Sequence, residues 1–313
     1  MKILYITTDM EDYLSDGILY GLRMKYGSDV IDFPKKESMY EGGKNIVDYG
    51  GGFTLWGLLP NILIDRENMQ ERVDNNEFDV IVFSDIYRQQ EPFSHWTVFL
   101  LFENCKIAGK KLVFLDGTDD GKPTVYDALH WGTYFKRENP FKYNGIKIIG
   151  LSIPEEKILT EKPIKTKTFA RYCQVDEAYT IPQIKEQCSK ERFIKEEEYY
   201  ADLAASKYGL GMKKSGWDTP RFMEYAANWC VPCIYTKGWK WDGKTWYDKP
   251  KETHPLGLVD MENCILWDDP KMLMDKIERI EGNGTYNKIS KGANDWVKTK
   301  TCEVMADYVM NNI

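Results

Sequence analysis

In the first half of the chain, apolar positions fall in short unbroken runs separated by stretches of helical spacing. "KILYIT" (Lys2–Thr7), "DVIDF" (Asp29–Phe33), "DVIVFSD" (Asp79–Asp85), "KKLVFLDGTDD" (Lys110–Asp120) and "IKIIGLSI" (Ile146–Ile153) read as strands. An amphipathic stretch through Gly17–Lys25, a helix around His95–Ala108 and another near Thr124–Trp131 lie between them. Strands without polar alternation are buried on both faces, which predicts a parallel sheet covered by helices. "PEEKILTEKPIKTKT" (Pro154–Thr168) is polar, contains proline and reads as a bridge. Beyond it come strands at "FARYC", "VPCIYT" and "NCILWDD", a long charged helical stretch around Gln183–Ser206 and helices from Pro270 onward.

The expectation is therefore α/β: two Rossmann-like domains with an interdomain cleft. Residues 1–155 form an N-terminal domain and 156–313 a C-terminal one, with terminal helices packing back on the first. Open α/β sheets bind ligands at the carboxyl ends of their strands. That puts the loops after Thr7, Asp85 and Asp116 on one wall of the cleft.

The other wall is "KKSGWDTPRFMEYAANWCVPC" (Lys213–Cys233). Asp218 or Thr219 suits a helix N-cap and Pro220 the first turn. Exposed N–H groups at such a start favour an anion, and Lys213, Lys214 and Arg221 add positive charge. Gly209, Gly211 and Gly216 would let the backbone approach a ligand. Glu224, three residues after Arg221, shares its helix face. It would accept hydrogen bonds from a ribose diol, or else form an Arg–Glu brace.

Composition narrows the class. The chain has 313 residues, 42% hydrophobic and 29% charged, as a soluble globular protein does, and no apolar stretch of the ~20 residues a membrane span needs. The start "MKILYITTDMED" reads as a strand and not a signal peptide. A net charge of −7 argues against wholesale nucleic-acid coating. Seven scattered cysteines fit a reducing cytoplasm, and Cys230–Cys233 ends a helix where a redox C-x-x-C would start one. There is no G-x-x-x-x-G-K-[ST] and no G-x-G-x-x-G, so P-loop and dinucleotide readings fall. "YGGGFTLWG" (Tyr49–Gly57) reads as a Gly-rich cleft loop.

These phrases resemble a family of bacterial and phage glycosyltransferase-like proteins of two-domain GT-B architecture, related to the spore-maturation CgeB-type group. The resemblance rests on "GGGFTLWG", "LDGTDD", "YFKRE" (Tyr134–Glu138), "LSIPEEKI" (Leu151–Ile158) and above all "YYADLAASKYGLGMKKSGWDTPRFMEYAANWCVPC" (Tyr199–Cys233). Phe222 stands where relatives often have His, Asn228-Trp229 where they often have Gly, and the segment Thr236–His254 is longer than expected.

The resemblance implies sugar transfer from a nucleotide-sugar donor, UDP- or GDP-linked, by a hexosyl- or pentosyltransferase. No resident cofactor and no metal are implied. Lys213 and Lys214 would neutralise the diphosphate, with Gly216 beside them, Glu224 would hold the ribose, and Arg221 would support Glu224 or touch phosphate. An inverting reaction needs a base from the first domain. Asp16 and Asp119 are the candidates, each equally readable as a cap or turn residue, with His130 behind them as a packed histidine. The acceptor is a saccharide or other hydroxyl compound. Lys237, Lys240, Lys244, Lys249 and Lys251 alternate with Trp239, Trp241, Trp246 and Tyr247, so a phage-type transferase acting on a modified DNA base is the alternative. A non-catalytic nucleotide-sugar binding module is the second. The expected location is cytoplasmic.

Overall fold

The computed structural model describes residues 1–43, 54–84, 86, 103–105, 109–119, 122–138, 143–213, 216, 218–236, 253–254 and 257–313. The chain divides into two units, Met1–Pro154 with Thr301–Ile313, and Glu155–Lys300. The first crossing thus lies inside the "LSIPEEKI" phrase, and the last helix returns to the first unit.

In the first unit β1 (Ile3–Ile6), β2 (Val30–Phe33), β3 (Val80–Phe83), β4 (Leu112–Asp116), β5 (Thr133–Lys136) and β6 (Ile146–Ile148) form one sheet in the order β2-β1-β3-β4-β5-β6. Every pairing is parallel, so each strand must be reached by a crossover on a covered face. β1 and β3 are fully apolar because both faces are enclosed: Ile3 to Ile6 and Val80 to Phe83 are all buried. Phe83, Phe114 and Tyr134 stack in succession across β3, β4 and β5 within one cluster that includes Leu4, Ile81 and Leu112. The order reverses on either side of β1, which places the loop after β1 at a switch point.

That loop leads into α1 (Tyr13–Tyr26), capped by Asp12, whose carboxylate accepts from the Ser15 N–H at 2.9 Å. Gly17 and Gly21 share one face of α1. A Cβ at Gly21 would sit 2.0 Å from the Cys302 carbonyl oxygen, and one at Gly17 2.3 Å from Ser152 Oγ. The two glycines let the final helix, Cys302–Met310, lie directly on α1. A hydrogen bond from Cys302 N–H to Ile153 O, 3.0 Å, joins its start to the chain after β6.

In the second unit β7 (Lys167–Phe169), β8 (Ser206–Met212), β9 (Val231–Tyr235) and β12 (Ile265–Trp267) form a parallel sheet in the order β12-β9-β8-β7. A small antiparallel pair, β10 (Thr253–His254) with β11 (Leu258–Val259), stands apart from it. Tyr208, Leu210, Cys233, Tyr235 and Trp267 share a core with Leu273, Ile277 and Ile280 of the helix Pro270–Gly282.

Strand β8 was not visible in the hydrophobic pattern, because Gly209 and Gly211 interrupt it. The structure explains them. A Cβ at Gly209 would lie 2.5 Å from the Tyr225 ring, and one at Gly211 2.7 Å from Phe222 Cε1. These glycines make room for the helix Pro220–Ala227, which corrects the expectation that they let backbone approach a ligand.

Other differences have similarly local causes. The charged stretch around Gln183–Ser206 is two helices, Pro182–Gln187 and Glu196–Ala205. The chain leaves the first at Cys188 so that Ser189 can hydrogen-bond back to Arg171 O, 2.7 Å, and accept from Cys173 N–H, 3.0 Å. The stretch near Thr124–Trp131 holds a 3₁₀ turn at Tyr126–His130. The strand expected over Ile146–Ile153 is only Ile146–Ile148, at the sheet edge. The expected helix around His95–Ala108 lies mostly outside the described residues.

Candidate functional site

Four loops leave the second sheet on its carboxyl edge, and two of them carry the site. After β7 come Tyr172 and Gln174. After β8 come Lys213, Gly216 and Asp218, then the helix Pro220–Ala227 with Arg221 and Glu224. Thr219 is the N-cap, but its side chain makes no capping bond, and Pro220 has no N–H to satisfy. Lys214 and Trp217 lie outside the described residues.

Arg221 and Glu224 share a face yet do not bond each other. Glu224 Oε2 accepts from the Tyr199 hydroxyl at 2.5 Å, with both residues buried. Arg221 Nη1 donates to Gln174 Oε1 at 3.2 Å, and its guanidinium lies 4.7 Å over the Tyr172 ring. Arg221 and Glu224 thus make no direct ion pair: the acid meets a phenol, the base an amide and an aromatic face. Burial, and after it the Glu224 charge, push the Tyr199 phenol well above its ordinary pKa, so it remains a proton donor.

The far end of this helix shows what the missing glycine entails. Trp229 has φ 56°, a left-handed conformation that favours Gly. Its indole N–H is tied to Leu159 O at 2.9 Å, while its own carbonyl accepts from Ser290 Oγ at 2.7 Å and the Tyr286 hydroxyl at 3.1 Å. Cys230 and Cys233 are buried free thiols, and burial pushes Cys230 up to about 12. Neither is a reactive thiolate.

At the carboxyl edge of the first unit the charges are enclosed. Asp16, in the first turn of α1, is fully buried. Lys36 Nζ lies 2.7 Å from its Oδ1, and the Trp56 indole N–H donates to its Oδ2 at 2.9 Å. Lys36 also donates to Thr8 O and Met10 O at 2.9 and 2.7 Å, tying down the loop after β1. Asp12 is the cap of α1, so Asp16 is not one, and a base for an incoming hydroxyl needs access that Asp16 lacks in this conformation.

Asp116, at the end of β4, accepts from the Tyr134 hydroxyl at 2.6 Å, Thr124 N–H at 2.9 Å and Thr118 Oγ1 at 2.8 Å, with Lys136 Nζ 3.3 Å away. This carboxylate shapes the "LDGTDD" loop. The loop's Gly117 sits so near Asp12 that a Cβ would fall 2.7 Å from that carboxylate. Asp119 emerges beyond the turn with 44% of its side chain exposed, ion-paired to Arg137. His130 is exposed at the end of its 3₁₀ turn, which corrects the packed-histidine reading.

Sequence reasoning passed over Tyr199, Tyr172, Gln174, Lys36 and Lys136. Only Asp116 carried a signal, the Asp-Gly-Thr of an Asx turn. Of the Gly-rich loop, Thr54–Gly57 are described, and the Lys- and Trp-rich segment lies outside the described residues through 252. Among the described residues no group of three His, Cys, Asp or Glu converges to hold a metal ion, and no helix is long and apolar enough to cross a membrane.

No protein-family model and no curated protein sequence matches the chain. Solved structures do. The chain is similar to Anabaena Alr3699/HepE in complex with UDP (TM-score 0.56, 10% identity, 99% of both chains covered). It is similar to a glycosyltransferase from Rickettsia africae (TM-score 0.55, 10% identity, 99% of this chain and 97% of that one). It is also similar to an alpha-glucosyltransferase, AGT, in complex with UDP (TM-score 0.54, 10% identity, 99% of this chain and 100% of that one). The two parallel-sheet units together have the GT-B fold of these glycosyltransferases.

Proposed function

We propose that this protein transfers a glycosyl group from a nucleotide-sugar donor, UDP- or GDP-linked, to a hydroxyl of a saccharide or similar small acceptor, as a CgeB-related GT-B enzyme of the cytoplasm. One observation carries the reading: at the carboxyl edge of the second unit, one helix face presents Glu224, oriented by the Tyr199 hydroxyl, and Arg221, oriented by Gln174, in a chain whose fold neighbours include HepE and AGT with bound UDP.

In this reading Glu224 receives the ribose hydroxyls, while Lys213, Lys214 and Arg221 meet the diphosphate with Gly216 alongside. The acceptor oxygen attacks the anomeric carbon as the bond from that carbon to the diphosphate oxygen breaks. The bonding pair leaves with the nucleoside diphosphate, whose growing charge the cations stabilise without a metal. The acceptor's proton passes to a first-unit carboxylate. Of the two candidates Asp119 is the accessible one, exposed in the loop after β4, whereas Asp16 is sealed.

The test is a thermal-shift panel of nucleotides and nucleotide sugars with wild type and Glu224→Ala. Selective binding raises the melting temperature by mass action. A shift with one nucleotide family, lost in the variant, supports the donor site. No shift with any member overturns it. A shift without turnover on any acceptor would make the protein a binding module.

A further inference from the structure

Tyr199 reaches Glu224 from another helix, and its surroundings hold it still. It sits in the first turn of the helix Glu196–Ala205, its N–H bonded to Lys195 O at 3.2 Å. Its ring packs against Phe193 at 5.5 Å and Tyr200 at 5.4 Å, and the Arg171 guanidinium covers Phe193 at 3.8 Å. The hydroxyl meets Glu224 Oε2 at 2.5 Å, the length of a charge-assisted O–H···O⁻ bond. A glutamate side chain has three rotatable bonds, and a vicinal diol needs its acceptor held in one orientation. A lysine would orient the carboxylate only while neutralising it. A phenol that keeps its proton orients it without adding a positive charge of its own.

We propose that Tyr199 is a positioning residue that presents the Glu224 carboxylate to the ribose diol of the donor, making the site selective for ribonucleoside diphosphates. The inference rests on the reading of the second unit as a donor site. Its chain of action runs from Arg171 through Phe193 and Tyr199 to Glu224, all within one unit.

Isothermal titration of wild type, Tyr199→Phe, Glu224→Ala and the double variant tests it. The probes are UDP and GDP with their 2′,3′-dideoxy counterparts. Phe keeps the ring and removes only the donor. The expected result is about a tenfold loss of affinity for the ribonucleotide in Tyr199→Phe, no change for the dideoxy compound, and no further loss when Glu224 is already Ala. Unchanged ribonucleotide affinity in Tyr199→Phe overturns the proposal, as does an equal loss for both sugars, which a purely structural tyrosine would give. If Glu224→Ala abolishes binding while Tyr199→Phe does not, the donor site stands and this inference alone falls. If wild type binds no nucleoside diphosphate, both fall. Should Tyr199→Phe fail to fold, Phe193→Leu loosens the same ring and is expected to show a smaller loss confined to the ribonucleotide; its absence overturns the proposal equally.

Discussion

At the carboxyl edge of the first unit, Lys36 and Lys136 lie beside Asp16 and Asp116, at 2.7 and 3.3 Å, with no exposure on any of the four side chains. At the same edge of the second, Glu224 meets a phenol, and Arg221 meets an amide and a ring. Buried opposite charges contribute little net stability, because desolvation offsets their attraction, but removing one partner strands the other. The first edge is thus a set of clamps that shape loops. Neutral partners hold a charged side chain in place without consuming its charge. At the second edge the Tyr199 hydroxyl and the Gln174 amide orient charged side chains without adding charge of their own.

Substitutions can break this contrast, and their effects on stability should fall in order. Asp16→Ala leaves Lys36 charged and enclosed and is expected to cost about 3–5 kcal/mol in urea unfolding. The paired change Asp16→Leu with Lys36→Met should recover most of that loss, and no recovery would mean that the pair does more than cancel its own charges. Gly209→Ala drives a Cβ into the Tyr225 ring and should cost about 1–3 kcal/mol by the same measurement. A neutral outcome would show that the helix Pro220–Ala227 can shift.

Arg221→Lys replaces a flat cation on Tyr172 with a point charge. It should cost under about 1 kcal/mol of stability yet weaken nucleoside diphosphate binding in titration. Equal binding would remove Arg221 from the site. The smallest effect on stability belongs to Asp119→Asn, within about 0.5 kcal/mol because the residue is exposed. If Asp119 takes the acceptor's proton, transfer should nonetheless fall by about 10²-fold or more in a turnover assay. Full activity would return the search for the base to the other first-unit carboxylates.

Much of the frame was legible. β1, β3 and β4 are apolar runs because a parallel sheet is enclosed on both faces, and Val231–Tyr235 reads the same way. The helix at Pro220 follows from Thr-Pro, and Arg221 and Glu224 stood out from their spacing. β8 was illegible because its positions facing the helix Pro220–Ala227 are glycines whose reason, Tyr225 and Phe222, lies beyond the next loop. Tyr199 was illegible because nothing in "EEEYYADLAA" distinguishes a tyrosine that bonds a carboxylate 25 residues away.

By itself the sequence determined the α/β class and the helix start at Pro220, since burial period and helix capping act over a few residues. Only the tertiary structure decided the partners: that Glu224 bonds Tyr199 and not Arg221, and that Asp16 is clamped by Lys36. Those choices depend on desolvation and close packing between distant segments, where a charge takes whichever neighbour the fold brings within hydrogen-bond reach.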